Sequence, residues 1–184
     1  MARPTPLAVP GPSGGSPVSG FSLIEALIVA AILAIAALSL TAVQVQSMSL
    51  SRTNRETACA RQAARLAVER IHEVGVAVAF ATFNKDPDDD PGGTGTAPGP
   101  TLIVATDAGP MTCRIDFPVD GSGELREDQT LPKFGLPRDL NGDGGVDSSD
   151  HATDYLVLPV RVTVTWKGGT GTRELEVYAM LLRE

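Results

Sequence analysis

Residues 26–43 read ALIVAAILAIAALSLTAV, and this apolar run decides the architecture of the chain. It carries no charged side chain, and its only polar side chains are those of Ser39 and Thr41. A helix of about 18 or more such residues is long enough to cross the hydrocarbon core of a bilayer. The run therefore predicts one membrane-crossing helix in a chain whose remaining residues are more polar.

The helix is expected to continue beyond the apolar run. No Pro lies between Pro17 and Pro87, and Gly75 is the only Gly within residues 21–80. Because Pro and Gly most readily interrupt helices, one helix is predicted over about these residues, weakened at Gly75. In its second half, apolar residues recur three or four positions apart and form one stripe: Ala60, Ala63, Ala67, Ile71, Val74 and Val78. The stripe indicates that another part of the chain packs against it.

Four segments of the C-terminal half have the composition or the alternation of β-strands. They are residues 101–106, 111–117, 155–166 and 173–182. The Gly-rich residues 168–171 predict a hairpin between the last two, and residues 84–100, rich in Asp, Gly and Pro, predict a loop. This order predicts an α+β fold in which a long N-terminal α-helix packs on a small antiparallel β-sheet.

The charge and the reactive side chains exclude two broad classes of function. The net charge is −7 at pH 7, whereas binding to nucleic-acid phosphates needs clustered cations, so no nucleic-acid partner is predicted. The chain has two His and two Cys, and no pattern pairs a nucleophile with a base. We therefore expect no enzymatic activity.

The two cysteines leave two alternatives open. Cys59 falls on the predicted helix and Cys113 on the second predicted strand, so a disulfide could join the helix to the sheet. The other alternative is a pair of buried thiols that act as small apolar side chains. Both stand, because a sequence does not show whether the two Cα atoms lie within bonding range.

A single carboxylate, Glu25, lies at the head of the apolar run. An unpaired charge inside a bilayer costs on the order of a few kcal/mol, so such a residue usually has a partner. If the chain is cut after Gly20, Phe21 acquires an α-amino group. The Glu25 of a neighbouring copy could then pair with this amine and set the stagger between the two helices.

Residues 19–25 read SGFSLIE, and with the apolar run behind them they resemble the class III signal of type IV pilins and type II secretion pseudopilins. The resemblance implies cleavage after Gly20 by a prepilin peptidase, N-methylation of Phe21 and assembly with other pilin subunits through a helix that depends on Glu25. Residues 59–74 are similar to the helix of minor subunits, which implies a structural minor pilin or pseudopilin. The long leader with few basic residues departs from the family pattern.

This resemblance implies a division of the chain and a location. Residues 1–20 form a cleaved leader, 21–45 a transmembrane and assembly helix, 46–83 an amphipathic half-helix and 84–184 a globular β domain. The protein is expected in the inner membrane with a single span, its C-terminal domain periplasmic or extracellular, and in a pilus or pseudopilus after assembly. The alternative is an uncleaved, membrane-anchored module that binds its partner in a calcium-dependent way.

Residues 139–150 read DLNGDGGVDSSD, which fits the calcium-loop pattern D-x-[DN]-x-[DN]-G-x-hydrophobic-x-x-x-[DE]. In such a loop, oxygen atoms at alternate positions converge, and Gly144 permits the sharp bend. The candidate ligands are Asp139, Asn141, Asp143, Gly145, Asp147 and Asp150. They predict a structural Ca²⁺ ion; the alternative is an acidic turn that binds nothing. His151 follows the loop and is expected on the surface, because imidazole is a poor calcium ligand.

Overall fold

The computed structural model describes residues 22–169 and 171–183, so Gly20 and Phe21 lie outside the described residues. Its helices and strands are, in chain order, α1 (Leu23–Val74), α2 (Val76–Phe83), β1 (Thr101–Thr106), β2 (Gly109–Asp116), β3 (Val157–Gly168) and β4 (Gly171–Leu182). A short 3-10 turn at Pro132–Phe134 precedes β3. The chain divides into two units, Met1–Ser47 and Met48–Glu184, and α1 contributes residues to both.

The described part of the first unit is helical from Leu23 onward, and every side chain in it is exposed. The hydroxyls of Ser39 and Thr41 donate to the carbonyls of Ile35 and Ala37, each at 2.9 Å. The polar groups of the apolar run are therefore satisfied by the helix that carries them. This is the arrangement that a surrounding without water requires.

Gly75 ends α1, so the prediction of one helix to about residue 80 is wrong at this position. Its φ of +96° lies in a region that L side chains rarely adopt, and its N–H still donates to the carbonyl of Ile71 at 3.2 Å. The chain resumes at once as α2. The hydroxyl of Tyr155 is inserted at this second helix, where it donates to the carbonyl of Val76 at 2.5 Å and accepts from the N–H of Phe80 at 3.3 Å.

The sheet is a four-stranded antiparallel meander in the order β1-β2-β3-β4, as the strand pattern predicts. Gly168 pairs with Gly171 at the end of the β3–β4 ladder, which confirms the predicted hairpin. Pro159 lies in the central strand β3, but pairing with β2 ends at Arg161. On the side of β2, Pro159 is therefore at an edge, where a sheet tolerates proline, and on its other side it pairs with Met180 of β4.

The core of the second unit lies between one face of the sheet and the alanine-rich stripe of α1. Most of the predicted stripe is buried there, whereas Val78 is 39% exposed because it follows the break at Gly75. The strands contribute the alternating residues Met111, Cys113, Ile115, Val160, Val162 and Val164. Alanines on the helix let the two layers approach closely, and each large side chain buried against them stabilises the fold by about 1.5–3 kcal/mol. The structure thus has the predicted α+β fold.

A buried carboxylate ties α1 to the β3–β4 hairpin. Glu56 is only 6% exposed. One of its oxygens accepts from Nε of Arg52 at 3.0 Å, and the other lies 3.5 Å from Nη1 of Arg173. Two arginines therefore balance one charge that leaves water, which is the condition under which a buried charge is tolerated.

Candidate functional site

Glu25, the predicted assembly residue, lies in the first turn of α1 and is exposed. The N–H of Ala26 donates to the carbonyl of Ser22 at 3.1 Å, so the helical turn that carries the carboxylate is already formed there. A carboxylate in this turn faces the partial positive charge of the helix N-terminus. Within the described part of the chain Glu25 has no ion-pair partner. Its carboxylate is thus available to a group outside the described residues.

A continuous apolar surface follows Glu25 along α1. Its large hydrophobic side chains are exposed on all sides of the helix: Leu23, Ile24, Leu27, Ile28, Val29, Ile32, Leu33, Ile35, Leu38, Leu40, Val43, Val45, Met48 and Leu50. By length and composition α1 is able to cross a membrane. An apolar surface of this extent needs lipid or another protein to cover it.

In the loop at residues 139–150, the candidate calcium ligands at alternate positions bond to nearby backbone amides. The carboxylate of Asp139 accepts from the N–H groups of Gly142 and Gly144, the second at 2.8 Å. The side chains of Asn141 and Asp143 each accept from the amide two residues further on, at 3.0 and 2.7 Å. Gly144 has a φ of +90°, so the sharp bend expected of this glycine is present.

The last two candidate ligands, Asp147 and Asp150, each use one carboxylate oxygen to accept from backbone amides. Oδ1 of Asp150 accepts from the N–H groups of Leu125 and Ala152, at 3.0 and 3.1 Å. Oδ1 of Asp147 accepts from the N–H of Ser149 at 2.6 Å, and this bond is the main cause that lowers the pKa of Asp147 below its usual value. The end of the loop is thus tied to neighbouring backbone.

Glu127 lies outside the loop in sequence, but its carboxylate accepts hydrogen bonds from backbone amides of the loop. Glu127 is only 1% exposed. Its Oε1 accepts from the N–H groups of Leu140 and Asn141, and its Oε2 accepts from the N–H of Asp147 at 3.2 Å. One buried carboxylate therefore holds both ends of the loop. The sequence gives no local signal for this role, because the bonded amides lie 13, 14 and 20 residues further along the chain.

His151 is buried, so the prediction of a surface histidine is wrong. It is 3% exposed. Its Nδ1 lies 3.0 Å from Oδ1 of Asp154, and its Nε2 lies 3.3 Å from Oδ1 of Asp147 and 3.7 Å from Oε1 of Glu127. Burial by itself lowers the pKa of His151, but the hydrogen bonds and negative charges of these three carboxylates outweigh it and raise the pKa above its ordinary value.

Both cysteines are buried and free, so the structure has the buried-thiol arrangement of the two alternatives. The Sγ of Cys113 lies 3.7 Å from the carbonyl of Ala63, at the contact between β2 and α1. Burial raises the pKa of the Cys113 thiol to about 11. The thiol therefore remains protonated at neutral pH and acts as a small apolar group in the core.

Comparison with known families decides what the N-terminal segment is. A family model described as the prokaryotic N-terminal methylation motif matches residues 16–41. This chain carries a prepilin signal. The matched residues include Gly20, Phe21, Glu25 and most of the apolar run. Comparisons with curated proteins and with solved structures give no match.

The prepilin signal supports a precursor of the type IV pilin-like or pseudopilin kind. The apolar helix that begins within the matched segment fits a single-pass anchor in the inner membrane. The resemblance seen in residues 19–25 is therefore confirmed.

Proposed function

We propose that the protein is a structural minor subunit of a type IV pilus or of a type II secretion pseudopilus. The single observation that carries the proposal is the match of residues 16–41 to the methylation motif, at the start of a helix that runs unbroken to Val74. Such a helix can serve as a membrane anchor before assembly and as a packing element after it. The similarity of residues 59–74 to minor subunits supports the finer assignment.

Processing prepares the N-terminus for assembly. A prepilin peptidase cuts after Gly20 and methylates the new amine of Phe21. That amine then pairs with the Glu25 carboxylate of an adjoining subunit. An unpaired carboxylate at membrane depth costs about 2.5–3.5 kcal/mol on insertion scales, so the pairing favours one axial stagger over others. The apolar side chains of α1 pack laterally between subunits in place of lipid.

The proposed division of the chain assigns a different surrounding to each part. Residues 1–20 are the leader, 21–45 span the inner membrane, and 46–83 together with the β domain of residues 84–184 lie on the periplasmic or outer side. The buried core between α1 and the sheet supports a folded domain in water, and the exposed apolar half of α1 supports a surrounding without water.

We further propose a structural Ca²⁺ ion in the loop at residues 139–150. Its ligands are Asp139, Asn141, Asp143, Gly145, Asp147 and Asp150. The loop carries exposed carboxylates close together, whose mutual repulsion a divalent cation would relieve. A loop of this kind suits the millimolar calcium of extracellular surroundings. The coiling of residues 139–145 around side-chain oxygens supports the site.

The mature N-terminus tests the proposed function. The full chain is produced in bacterial membranes with and without a prepilin peptidase, and the N-terminal peptide is identified by mass spectrometry. We expect N-methylated Phe21 as the first residue only when the peptidase is present. An intact Met1 under both conditions would overturn the proposal and favour the uncleaved, calcium-dependent binding module.

A further inference from the structure

We propose that Glu127, Asp147 and His151 form a binding site for a divalent transition-metal ion of the zinc class. One ligand atom from each of these residues lies within 4.8 Å of the other two. Two of the three side chains are buried, at 1% exposed for Glu127 and 3% for His151, whereas the Asp147 side chain is 52% exposed. The site shares Asp147 with the proposed calcium site, but it differs in its nitrogen donor and in a carboxylate that lies outside the loop.

The placement of His151 requires a cation among these groups. Both ring nitrogens face carboxylate oxygens, and a neutral imidazole has only one N–H. The shorter contact, 3.0 Å from Nδ1 to Asp154, places the N–H there. The lone pair of Nε2 then faces the oxygens of Asp147 and Glu127. With the ring neutral, one nitrogen thus faces carboxylate oxygens without a proton, and either a metal ion or a second proton on the ring relieves this contact.

The distances from Nε2 are long for hydrogen bonds and fit a metal ion. Nε2 lies 3.3 Å from Asp147, at the long end for an N–H···O bond, and 3.7 Å from Glu127. Bonds of about 2.0–2.2 Å to nitrogen and oxygen place two ligand atoms of a tetrahedral Zn²⁺ about 3.3–3.6 Å apart. The two separations from Nε2 are thus close to the edges of such a coordination shell, and all three ligand atoms lie within 4.8 Å of one another.

The donor set selects the class of ion. Calcium and magnesium take oxygen ligands, whereas imidazole suits zinc, nickel, cobalt and copper. Asp154 behind Nδ1 supplies the carboxylate–histidine–metal arrangement that fixes the orientation of a metal-ligating ring. The half-exposed Asp147 leaves a path for the ion from solvent. Glu127 also accepts from the backbone amides of Leu140, Asn141 and Asp147, so the same carboxylate would serve both the ion and the loop.

The consequence of a bound ion is a link between separate segments. Glu127 belongs to the chain that precedes the 3-10 turn, Asp147 to the exposed loop, and His151 to the segment that leads into β3. A metal ion would join all three segments at one point. The alternative to a metal ion is a second proton on the His151 ring, which would hold the same three groups together by hydrogen bonds and charge.

Cobalt binding distinguishes a metal ion at this site from a proton on His151. The full chain, made without a histidine tag and purified in detergent, is freed of metal with a chelator and then titrated with Co²⁺ alone. We expect one Co²⁺ per chain, with the visible absorption of a four- or five-coordinate ion that added Zn²⁺ abolishes. No stoichiometric binding would assign the positive charge to the proton and overturn the proposal.

Four variants make the result specific. His151→Gln removes the nitrogen ligand and should abolish the cobalt spectrum, whereas His72→Gln, at the exposed second histidine, should leave it unchanged. Asp154→Asn alters only the residue behind the ring and should weaken Co²⁺ binding by about 10–100-fold. Asp147→Asn keeps an oxygen for the Ser149 amide and should weaken binding further. An unchanged spectrum in His151→Gln or Asp147→Asn, with a native circular dichroism spectrum, would contradict the site.

Discussion

The two halves of α1 use apolar residues in opposite ways. From Leu23 to Leu50 the helix is rich in Leu, Ile and Val, and all these side chains are exposed. From Cys59 to Ile71 its stripe consists mostly of Ala, and this stripe is buried against the sheet. The most apolar part of the chain is therefore not its core. The large side chains are exposed, whereas the small ones face the chain's own sheet.

The comparison extends to the carboxylates. Glu25 is exposed and has no ion-pair partner within the described residues, whereas Glu127 is buried and accepts bonds from three backbone amides. The first carboxylate is placed to act between molecules, and the second holds one domain together. Substitutions at these two positions should therefore have effects that do not overlap.

The largest effect is expected from Glu25→Ala. Without the carboxylate, the amine of a neighbouring Phe21 loses its partner and the subunits lose their axial register. We expect the variant to insert in the membrane at wild-type levels and to be absent from sheared filaments or pseudopili, as measured by immunoblotting of both fractions. Glu69→Ala, which removes an exposed carboxylate from the same helix, is the matched control and should assemble normally. Normal incorporation of Glu25→Ala would count against the register role.

For Glu127→Gln we expect a loss of stability within the folded domain. The substitution replaces an acceptor oxygen by an amide NH₂ that faces backbone donors, so the free energy of unfolding should fall by about 3 kcal/mol. Urea unfolding of the full chain in detergent and chelator measures this, with the fluorescence of the single, buried Trp166 as the probe. Membrane insertion should not change.

The matched control for this variant is Glu124→Gln. Glu124 is exposed, and removal of its charge should change the free energy of unfolding by no more than about 0.5 kcal/mol. Equal effects of the two substitutions would mean that the buried carboxylate does not organise the loop.

A smaller effect is expected from calcium. With a Kd of about 10⁻⁴–10⁻³ M, about 10 mM Ca²⁺ should raise the free energy of unfolding by about 1.4–2.7 kcal/mol. The midpoint of urea unfolding, followed at Trp166 with and without a calcium chelator, measures this increase. Asp139→Asn should remove the calcium dependence while it leaves cobalt binding at His151 intact. A midpoint that is independent of calcium in the unaltered chain would argue against the loop site.

The fold could be predicted from the sequence where its signals are local. The alanine stripe of α1, the alternation of Met111, Cys113 and Ile115, and the glycines at 168–171 each reflect neighbours within a few residues. The sequence indicates a weak point at Gly75, but it does not show that the helix ends there, because a single Gly is often tolerated within a helix. Its φ of +96° is a backbone conformation that glycine adopts readily but that the sequence around it does not require.

The cluster of Glu127, Asp147 and His151 could not be predicted, because its contacts join residues that have no fixed spacing in the sequence. Glu127 lies in irregular chain and bonds to amides whose positions have no fixed spacing from it. His151 follows a loop of polar residues, so its burial depends on segments that only the tertiary structure brings together. The prepilin signal, in contrast, is contained in consecutive residues and can be read without a fold.

The smallest effect is expected from Tyr155→Phe, which probes the start of α2 rather than either carboxylate. The buried hydroxyl donates to the carbonyl of Val76 and accepts from the N–H of Phe80. Its removal should lower the free energy of unfolding by about 1–2 kcal/mol, because the Val76 carbonyl and the Phe80 N–H each lose a buried hydrogen bond. Urea unfolding followed at Trp166 measures the change.

Tyr178→Phe is the matched control, since it removes a hydroxyl that bonds to Glu176 on the surface. We expect a change within about 0.5 kcal/mol for this variant. A similar loss in both variants would show that the hydroxyl of Tyr155 has no special role at the break. A loss confined to Tyr155→Phe would mean that a side chain from the segment leading into the sheet stabilises the start of α2 after Gly75.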